Sequence, residues 1–361
     1  MQYPTAPYQL WNTVAASYTD ASWETTARRF VVAATLAANA HNTQPWAFSI
    51  ADHAITIRPD WTRHLTVSDP TGRQLFLSIG AALENLLITA RADGHHPTVI
   101  LIRQPAEKNP HDLNITVTFN VTDSTVDEHI KHLATAIPNR RSCRHIFDTT
   151  SNQSSLRAIQ SRSDGVTVST QTTFIDDDHI KRSIADLAAA ATRDAFSQKP
   201  FRTELSQWIR NNFTTQGDGM PAFSNGVPDI PSLLGPTLIR FVNIGPKQAT
   251  DEHAWMTSSD LLAVISTQND DPASWIAAGQ TLERLMLQAN VLGLSSSIIE
   301  SPIEVSKYRP QLTKIITDAP QITDYRLPVT DYSFTQVLMR FGSCAKPHHP
   351  TPRRPVSEVI R

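Results

Sequence analysis

The sequence predicts an α+β protein built from two fused, similar halves, and three observations predict it. The first is an internal echo: SIGAALENLLITARADG (78–94) and AAGQTLERLMLQANVLG (277–293) align without a gap. They match at Gly80/Gly279, Leu83/Leu282, Glu84/Glu283, Leu86/Leu285, Ala90/Ala289 and Gly94/Gly293. A fixed internal likeness is the mark of a repeated structural unit. The second is that apolar residues switch along the chain between helical spacing and strand alternation. The third is length: 361 residues suffice for two units of roughly 150 residues each.

Each element has its own local reason. Glu24–Ala38 carries the apolar spacing of a helix. Ala47–Ile50 and Ala54–Arg58 read as a hairpin turning at Asp52–His53. Both repeats read as largely buried helices ended by glycine at C′, and each runs into an apolar stretch, Pro97–Arg103 or Ser295–Glu300, that continues as strand or buried loop. Asn114–Val121 alternates like a strand; Pro236–Ile244 and Leu261–Thr267 are apolar enough for buried strands. Further helices are expected over Val126–Ile137, Asp178–Thr192 and Pro302–Ile316. Between Lys199 and Gly235 the pattern degenerates into glycines, prolines and aromatics, with little regular structure. Such a stretch inside a compact domain reads as a lid, with a surface linker as the alternative.

Composition narrows the function. A net charge of −2, with 18% charged residues, gives no overall attraction for nucleic acid or anionic lipid. Cys143 and Cys344 are the only cysteines, so neither a disulfide framework nor a zinc spacing is expected. The first residues lack the pattern of a signal peptide, and no apolar run reads as long enough to span a bilayer. A cytoplasmic setting, with no membrane partner, is the expectation. Adjacent histidines at His95–His96 and His348–His349 lack partner ligands at diagnostic spacing, so no metal site is expected.

Three segments carry chemistry. In Ala38-Asn39-Ala40-His41-Asn42-Thr43-Gln44-Pro45-Trp46, a polar cluster follows a helix and meets a proline that resists its continuation. The amides of Asn42 and Gln44 supply donors and acceptors of the kind a flavin's pyrimidine edge uses. Equally, they suit backbone groups at a helix end. Pro138-Asn139-Arg140-Arg141-Ser142-Cys143-Arg144-His145-Ile146-Phe147 packs three arginines and a serine into five residues. Guanidinium groups bind phosphate through paired, charge-assisted hydrogen bonds. Without aromatic interleaving, the cluster suits a phosphorylated small molecule better than nucleic acid. Phe341-Gly342-Ser343 and the tail Pro350–Ile360, with Arg353 and Arg354, complete the set. No GxSxG, HExxH, Walker A or GxGxxG pattern suggests a protein nucleophile or a dinucleotide fold.

Together, NTQPW with the preceding His41, DPTGRQLFLSIGAALENLL (69–87), RRSCRHIF, and RFG with TPRRPVSEVI resemble the nitroreductase family. The resemblance is to its Acg-like branch, in which two nitroreductase-like units are fused. It runs from about Ala27 to the C-terminus and is weakest over Asp148–Asp260. It implies a nitroreductase-like fold with halves 1–124 and 125–361 forming an intramolecular pseudo-dimer, and a candidate lid at 199–235. It further implies one FMN site assembled from both halves, because the first half holds NTQPW and the second holds the arginine cluster. Arg140 and Ser142, with Arg141 beside them, would hold the phosphate. Arg144 would approach the N1/O2 edge, and Arg353 would be a second phosphate cation. Asn42 and Gln44 would meet the ring and ribityl chain, with His41 and Trp46 as ring neighbours or packing residues. Ser297–Ser301 would lie near N5. Ala38-Asn39 replaces the family's usual Pro-Ser, and Cys143, read as a small spacer, has arginine neighbours that would lower its pKa.

The activity so implied is that of an FMN-dependent oxidoreductase with no essential side-chain acid or base. NAD(P)H is the electron donor, and the acceptor is a nitro compound, quinone or biosynthetic intermediate. The alternatives are a flavin-sequestering protein, with the lid excluding nicotinamide, and a dehydrogenase of a specialised substrate. Partners are small molecules, and the chain is a monomer or homodimer.

Overall fold

The computed structural model describes residues 6–13, 22–103, 113–121, 125–147, 152–161, 169–318, 332–345 and 349–361. α1 (Trp23–Thr35) begins at Ser22, whose hydroxyl accepts the Thr25 N–H, and buries Ala27, Phe30, Val31 and Ala34. β1 (Trp46–Ala51) and β2 (Ala54–Pro59) form the expected hairpin, with His53 in the left-handed region (φ 47°) at its turn. After α2 (Arg73–Ala92), β3 (His95–Arg103) and β4 (Leu113–Val121) complete an antiparallel sheet of order β1-β2-β4-β3.

α3 (Glu128–Ala136) and α4 (Gln153–Ser161) lead to the second sheet. Its strands are β5 (Thr170–Ile175), β8 (Leu261–Thr267), β9 (Ser295–Ile298) and β10 (Phe334–Gly342), antiparallel in the order β5-β8-β10-β9. Between β5 and β8 lie α5 (Asp178–Ser197), α6 (Lys199–Trp208), the two-residue strands β6 (Ile209–Arg210) and β7 (Met220–Pro221), α7 (Asp229–Ser232), α8 (Gly235–Phe241) and α9 (Gly245–Thr257). α10 (Pro272–Val291), α11 (Ser301–Glu304), α12 (Arg309–Asp318) and α13 (Val356–Val359) complete the chain.

The two repeats are α2 and α10, and they cross at their shared glycine. A Cβ on Gly80 would stand 2.1 Å from the Ile276 carbonyl oxygen, and one on Gly279 would stand 2.1 Å from that of Leu77. Only hydrogen fits there, so the backbones touch. The repeated glutamates reach across the same seam. Glu84 accepts from Arg284 and Gln280, and Glu283 pairs with Arg140 and accepts the Ala38 N–H. One apolar core runs through both sheets and both helices, from Phe30, Trp46, Ile57 and Phe76 to Ile265, Trp275, Leu285 and Met339. The tail returns across this seam and pairs Ile360 with Phe48. The α+β chain is thus two fused halves packed as an intramolecular pseudo-dimer.

Several expectations need correction. Pro236–Ile244 is not a buried strand: Gly235–Phe241 is a short helix, because Pro236 in its first turn presets a helical φ. Leu238 and Phe241 on it are exposed. Pro302–Ile316 is two helices, broken at Val305–Tyr308, where Pro310 opens the second. The 199–235 segment holds α6, β6, β7 and α7, so it is more regular than expected. α1 stops at Thr35, short of Ala38. α2 is long and apolar enough to cross a membrane by composition, but 89% of its apolar window is buried, as in a core helix. β3 is a strand, yet Val99–Ile102 are exposed on the edge of their sheet.

Candidate functional site

The segment following α1 is strained. His41, Asn42 and Gln44 all lie in the left-handed region, with φ of 50°, 55° and 51°. Non-glycine residues are held there only where the surroundings over-determine them, and such residues cluster at functional sites. The clamps are visible. Asn39 Oδ1 accepts the Gln44 N–H at 2.8 Å, and the Thr43 hydroxyl donates to Ala40 O. Asn42 Nδ2 donates to Gly219 O and Pro352 O, both at 2.9 Å. Gln44 Nε2 donates to Gly217 O, and its Oε1 accepts the Arg354 N–H. Both amides therefore hold backbone of the 199–235 segment and of the tail. Trp46, fully buried on β1, belongs to the main core.

The cations fall into two groups. Arg140 and Arg353, both buried, close the C-terminal end of α1. Arg353 Nε donates to Thr35 O at 2.6 Å and its Nη2 to Leu36 O and Ala37 O. Arg140 Nη2 also donates to Leu36 O. Cations there satisfy carbonyls that lack helical partners and meet the negative end of the helix dipole. Arg353 Nη1 donates to Asn42 Oδ1, which ties this group to the strained loop. Arg141 lies alongside, stacked at 4.0 Å over Trp11, whose ring also faces Arg353. Burial lowers the Arg353 pKa well below its ordinary value, and Arg140 and Arg141 add to that. Glu283 is the opposing carboxylate. Arg141 is pushed down to about 10 by burial, then by Arg140. Three guanidiniums against one carboxylate leave an excess positive charge suited to a dianion such as a phosphate. Ser142 is exposed beside them.

Arg144 stands apart from that group. Its Nη1 donates to Asn225 Oδ1 at 2.9 Å and lies against Met220 Sδ, so it faces the 199–235 segment. Burial lowers its pKa and Glu252 opposes the fall. His41 feels its charge: burial and then Arg144 bring that imidazole down to about 4, against Glu204. Arg340 fixes the Arg144 backbone, donating from Nη2 to Cys143 O and His145 O, both at 2.7 Å, and from Nε to Ser297 Oγ. The Ser142–Ser296 bridge joins the same segment to β9.

The structure thus brings His41, Asn42, Gln44, Arg140, Arg141, Ser142, Arg144 and Arg353 to one seam between the halves, and sends Trp46 into the core. Cys143 differs from expectation. Its thiol is pushed up to about 11, chiefly by burial, with Cys344 as neighbour; Arg340 works the other way but is outweighed. Glu252, Asp218 and Trp11 were not anticipated, and Arg340 was marked only as part of the RFG motif, with no role assigned. Glu252 lies on α9, a helix whose sparse apolar spacing gave no signal. No group of three or more His, Cys, Asp or Glu side chains placed to hold a metal occurs among the described residues.

No family model matches the chain. It is 28% identical over 343 residues to the Mycobacterium tuberculosis protein named "Putative NAD(P)H nitroreductase Rv3131", covering 93% of this chain and 91% of that one. It is 26% identical over 333 residues to that organism's "Putative NAD(P)H nitroreductase acg", covering 89% and 90%. Partial likeness to solved structures includes the FMN-dependent nitroreductase NfnB from Mycobacterium smegmatis in complex with NADPH. There the TM-score is 0.40 at 15% identity, covering 65% of this chain and 99% of that one. The structure described as "a putative nitroreductase" from Anabaena variabilis gives a TM-score of 0.44 at 11% identity, covering 80% of this chain and 69% of that one. The chain thus resembles the Acg-like branch of the nitroreductase family over about nine-tenths of its length, well beyond its four motifs.

Proposed function

We propose that the chain binds one FMN at the seam and acts as an FMN-dependent oxidoreductase of the nitroreductase type. NAD(P)H would be the donor and an electron-poor small molecule the acceptor. One observation carries the reading: three neighbouring guanidiniums, Arg140, Arg141 and Arg353, cluster beside a strained loop, with the Glu283 carboxylate acting on Arg140 and Arg353. Arg141 and Ser142 are the groups suited to bond the phosphate directly. Arg140 and Arg353, engaged with the end of α1, add their field. Arg144 would meet the pyrimidine edge, where a cation favours negative charge. His41, Asn42 and Gln44 would form the wall from the first half, with Trp46 supporting it from the core. The bound flavin would supply the electron transfer. In this reading the halves divide at 124/125, the setting is cytoplasmic, and no second chain is required.

The first test is the visible spectrum of the purified chain, with flavin measured after heat release, followed by NAD(P)H oxidation with nitro and quinone acceptors. About one FMN per chain and acceptor-dependent turnover are expected; a chain that takes up no FMN ends the reading. Arg141→Ala with Ser142→Ala should raise the FMN Kd at least tenfold, because a hydrogen bond to a charged group contributes about 1.5–3 kcal/mol. An unchanged Kd would reject that assignment.

Sequestration of the flavin is the second reading, and a specific observation favours it. The 217–219 stretch lies bonded onto the strained loop through Gln44 and Asn42. A Cβ on Gly217 would stand 2.7 Å from Arg353 O, so the stretch is pressed against the tail as well. Tight FMN with negligible NAD(P)H oxidation would mark that outcome.

A further inference from the structure

The outer face of α7 and α8 is apolar and is left uncovered among the described residues. Leu233 and Leu234, between the two short helices, keep right-handed helical backbone. The Leu234 N–H donates to Pro231 O, and the Leu238 N–H donates to Leu234 O. The run from Asp229 to Phe241 is therefore close to one helix, and Ile230, Leu234, Leu238 and Phe241 fall at one-turn spacing along a single stripe. Ile230, Leu234 and Phe241 are 78%, 67% and 68% exposed, with Leu233, Leu238 and Val242 about half exposed beside them. The opposite face is already in use. Ser232 is buried there, and Ile239 packs against Phe196, Leu205, Ile209 and Met220. A helix that is apolar on both faces is ordinarily buried on both.

Area and charge together point to the occupant. Side chains of this size at these exposures present roughly 700 Å² per chain, above the roughly 300–600 Å² of the largest patch on a typical monomer. Covering the patch on two copies buries roughly 1,400 Å², inside the roughly 1,200–2,000 Å² of a standard specific interface. A lipid-seeking face carries lysines and arginines along its flanks, but between 229 and 242 the only charged residues are Asp229 and Arg240. They stand at opposite ends of the stripe, roughly 16 Å apart at about 1.5 Å per residue. An antiparallel two-fold pairing lays the stripe on itself and brings each Arg240 to Asp229 of the other copy, which fixes the register.

We propose that a second copy of this chain docks on the α7–α8 stripe, forming a two-fold dimer that braces the 199–235 segment from outside. The bracing runs through Asn212. Its Nδ2 donates to Asp229 Oδ1 at 2.9 Å and to Val227 O at 3.1 Å, and its N–H donates to Ser232 Oγ at 3.1 Å. Its Oδ1 accepts the Phe223 N–H at 2.7 Å. α7 is thereby tied to the stretch between β6 and β7, whose Gly217 and Gly219 carbonyls meet Gln44 and Asn42. The dimer stands apart from the flavin reading, which needs no second chain.

The experiment is sedimentation equilibrium of the full chain at micromolar concentrations, with limited proteolysis of the same samples. Wild type should sediment at twice the chain mass. Leu234→Lys with Phe241→Lys, both on the exposed stripe, should weaken the dimer at least roughly a hundredfold, as loss of central anchors does. Arg240→Glu leaves the stripe intact and sets acid against acid, so it should weaken the dimer by about tenfold. It decides the matter if the lysine variant fails to fold. Ile100→Lys with Ile102→Lys, on the exposed edge strand β3, should stay dimeric. Cutting between residues 210 and 221 should be slower in the dimer than in the stripe variant, and equal rates overturn the bracing. Wild type at the single-chain mass overturns the proposal, even if it sediments with phosphatidylcholine–phosphatidylglycerol vesicles. A dimer that survives the stripe substitutions and is lost with those on β3 overturns it as well.

Discussion

At φ 50°, His41 holds a left-handed backbone conformation that few L-residues adopt, and its ring is kept neutral by burial and by Arg144. The pH consequence follows by linkage. Its folded pKa, about 4, lies below the ordinary 6.5, so the unfolded chain binds the proton more readily between those values. Stability is then present above about pH 6.5 and lost as pH falls toward 4. His41→Asn keeps a residue tolerant of the left-handed region and removes the titration. Urea unfolding at about pH 7 and about pH 5 should show a smaller acid loss in the variant, by up to about 2 kcal/mol. Identical losses would mean that the ring is solvated in the folded chain. Little of this residue's behaviour was legible beforehand. The polar run 39–44 marked a special loop, but His41 is neutral because the fold buries it and because Arg144, distant in sequence, adds its charge. Cys143 makes the same point: neighbouring arginines suggested a lowered pKa, yet the thiol is walled in and burial wins.

Among the elements, the crossing of α2 and α10 is the most demanding, because two backbones meet where only hydrogen fits. Gly80→Ala or Gly279→Ala must force the helices apart, and each should cost about 3 kcal/mol or more in urea unfolding, the upper range for overpacking. Gly235→Ala at the start of α8 is the control. Its nearest neighbour would be Ile209 Cγ2 at 3.5 Å, an ordinary contact, so its effect should stay within about 1 kcal/mol. If the three variants unfold alike, the crossing is looser than described. The paired glycines were legible as a repeat because close helix packing leaves its mark in sequence. Strands with clear alternation, such as β4, and the β1–β2 hairpin were legible for the same local reasons. α8 was not, since a short apolar run reads as strand or helix alike and only Pro236 favoured the helix. β5, α4 and α9 passed unread; their sequences carry few apolar residues at regular spacing.

In the whole molecule, an ionic clasp helps to tie the 199–235 segment to the first half. Asp218 pairs with Arg63, just after β2, and with Arg210 on β6 at 2.7 Å, and Arg63 Nε also donates to Thr43 O. The clasp spans the seam without using any residue assigned to the cofactor, so it isolates the segment's role as a lid. Asp218→Ala leaves two half-buried arginines without their shared carboxylate, and the bonds from Asn42 and Gln44, with those that Glu204 accepts from Val67 and Ser68, must then hold the segment. Limited proteolysis should cut faster between residues 210 and 221. In the FMN-loaded protein, flavin release should quicken at least tenfold, the equivalent of about 1.4 kcal/mol of lost restraint. The two functional readings then separate on turnover. If the clasp enforces sequestration, NAD(P)H oxidation should rise in the variant as flavin retention falls. If the segment helps to build the reductase site, both should fall together. Faster proteolysis with unchanged flavin release would show that the segment covers the seam without holding the cofactor. The hold would then lie with the arginines at the end of α1.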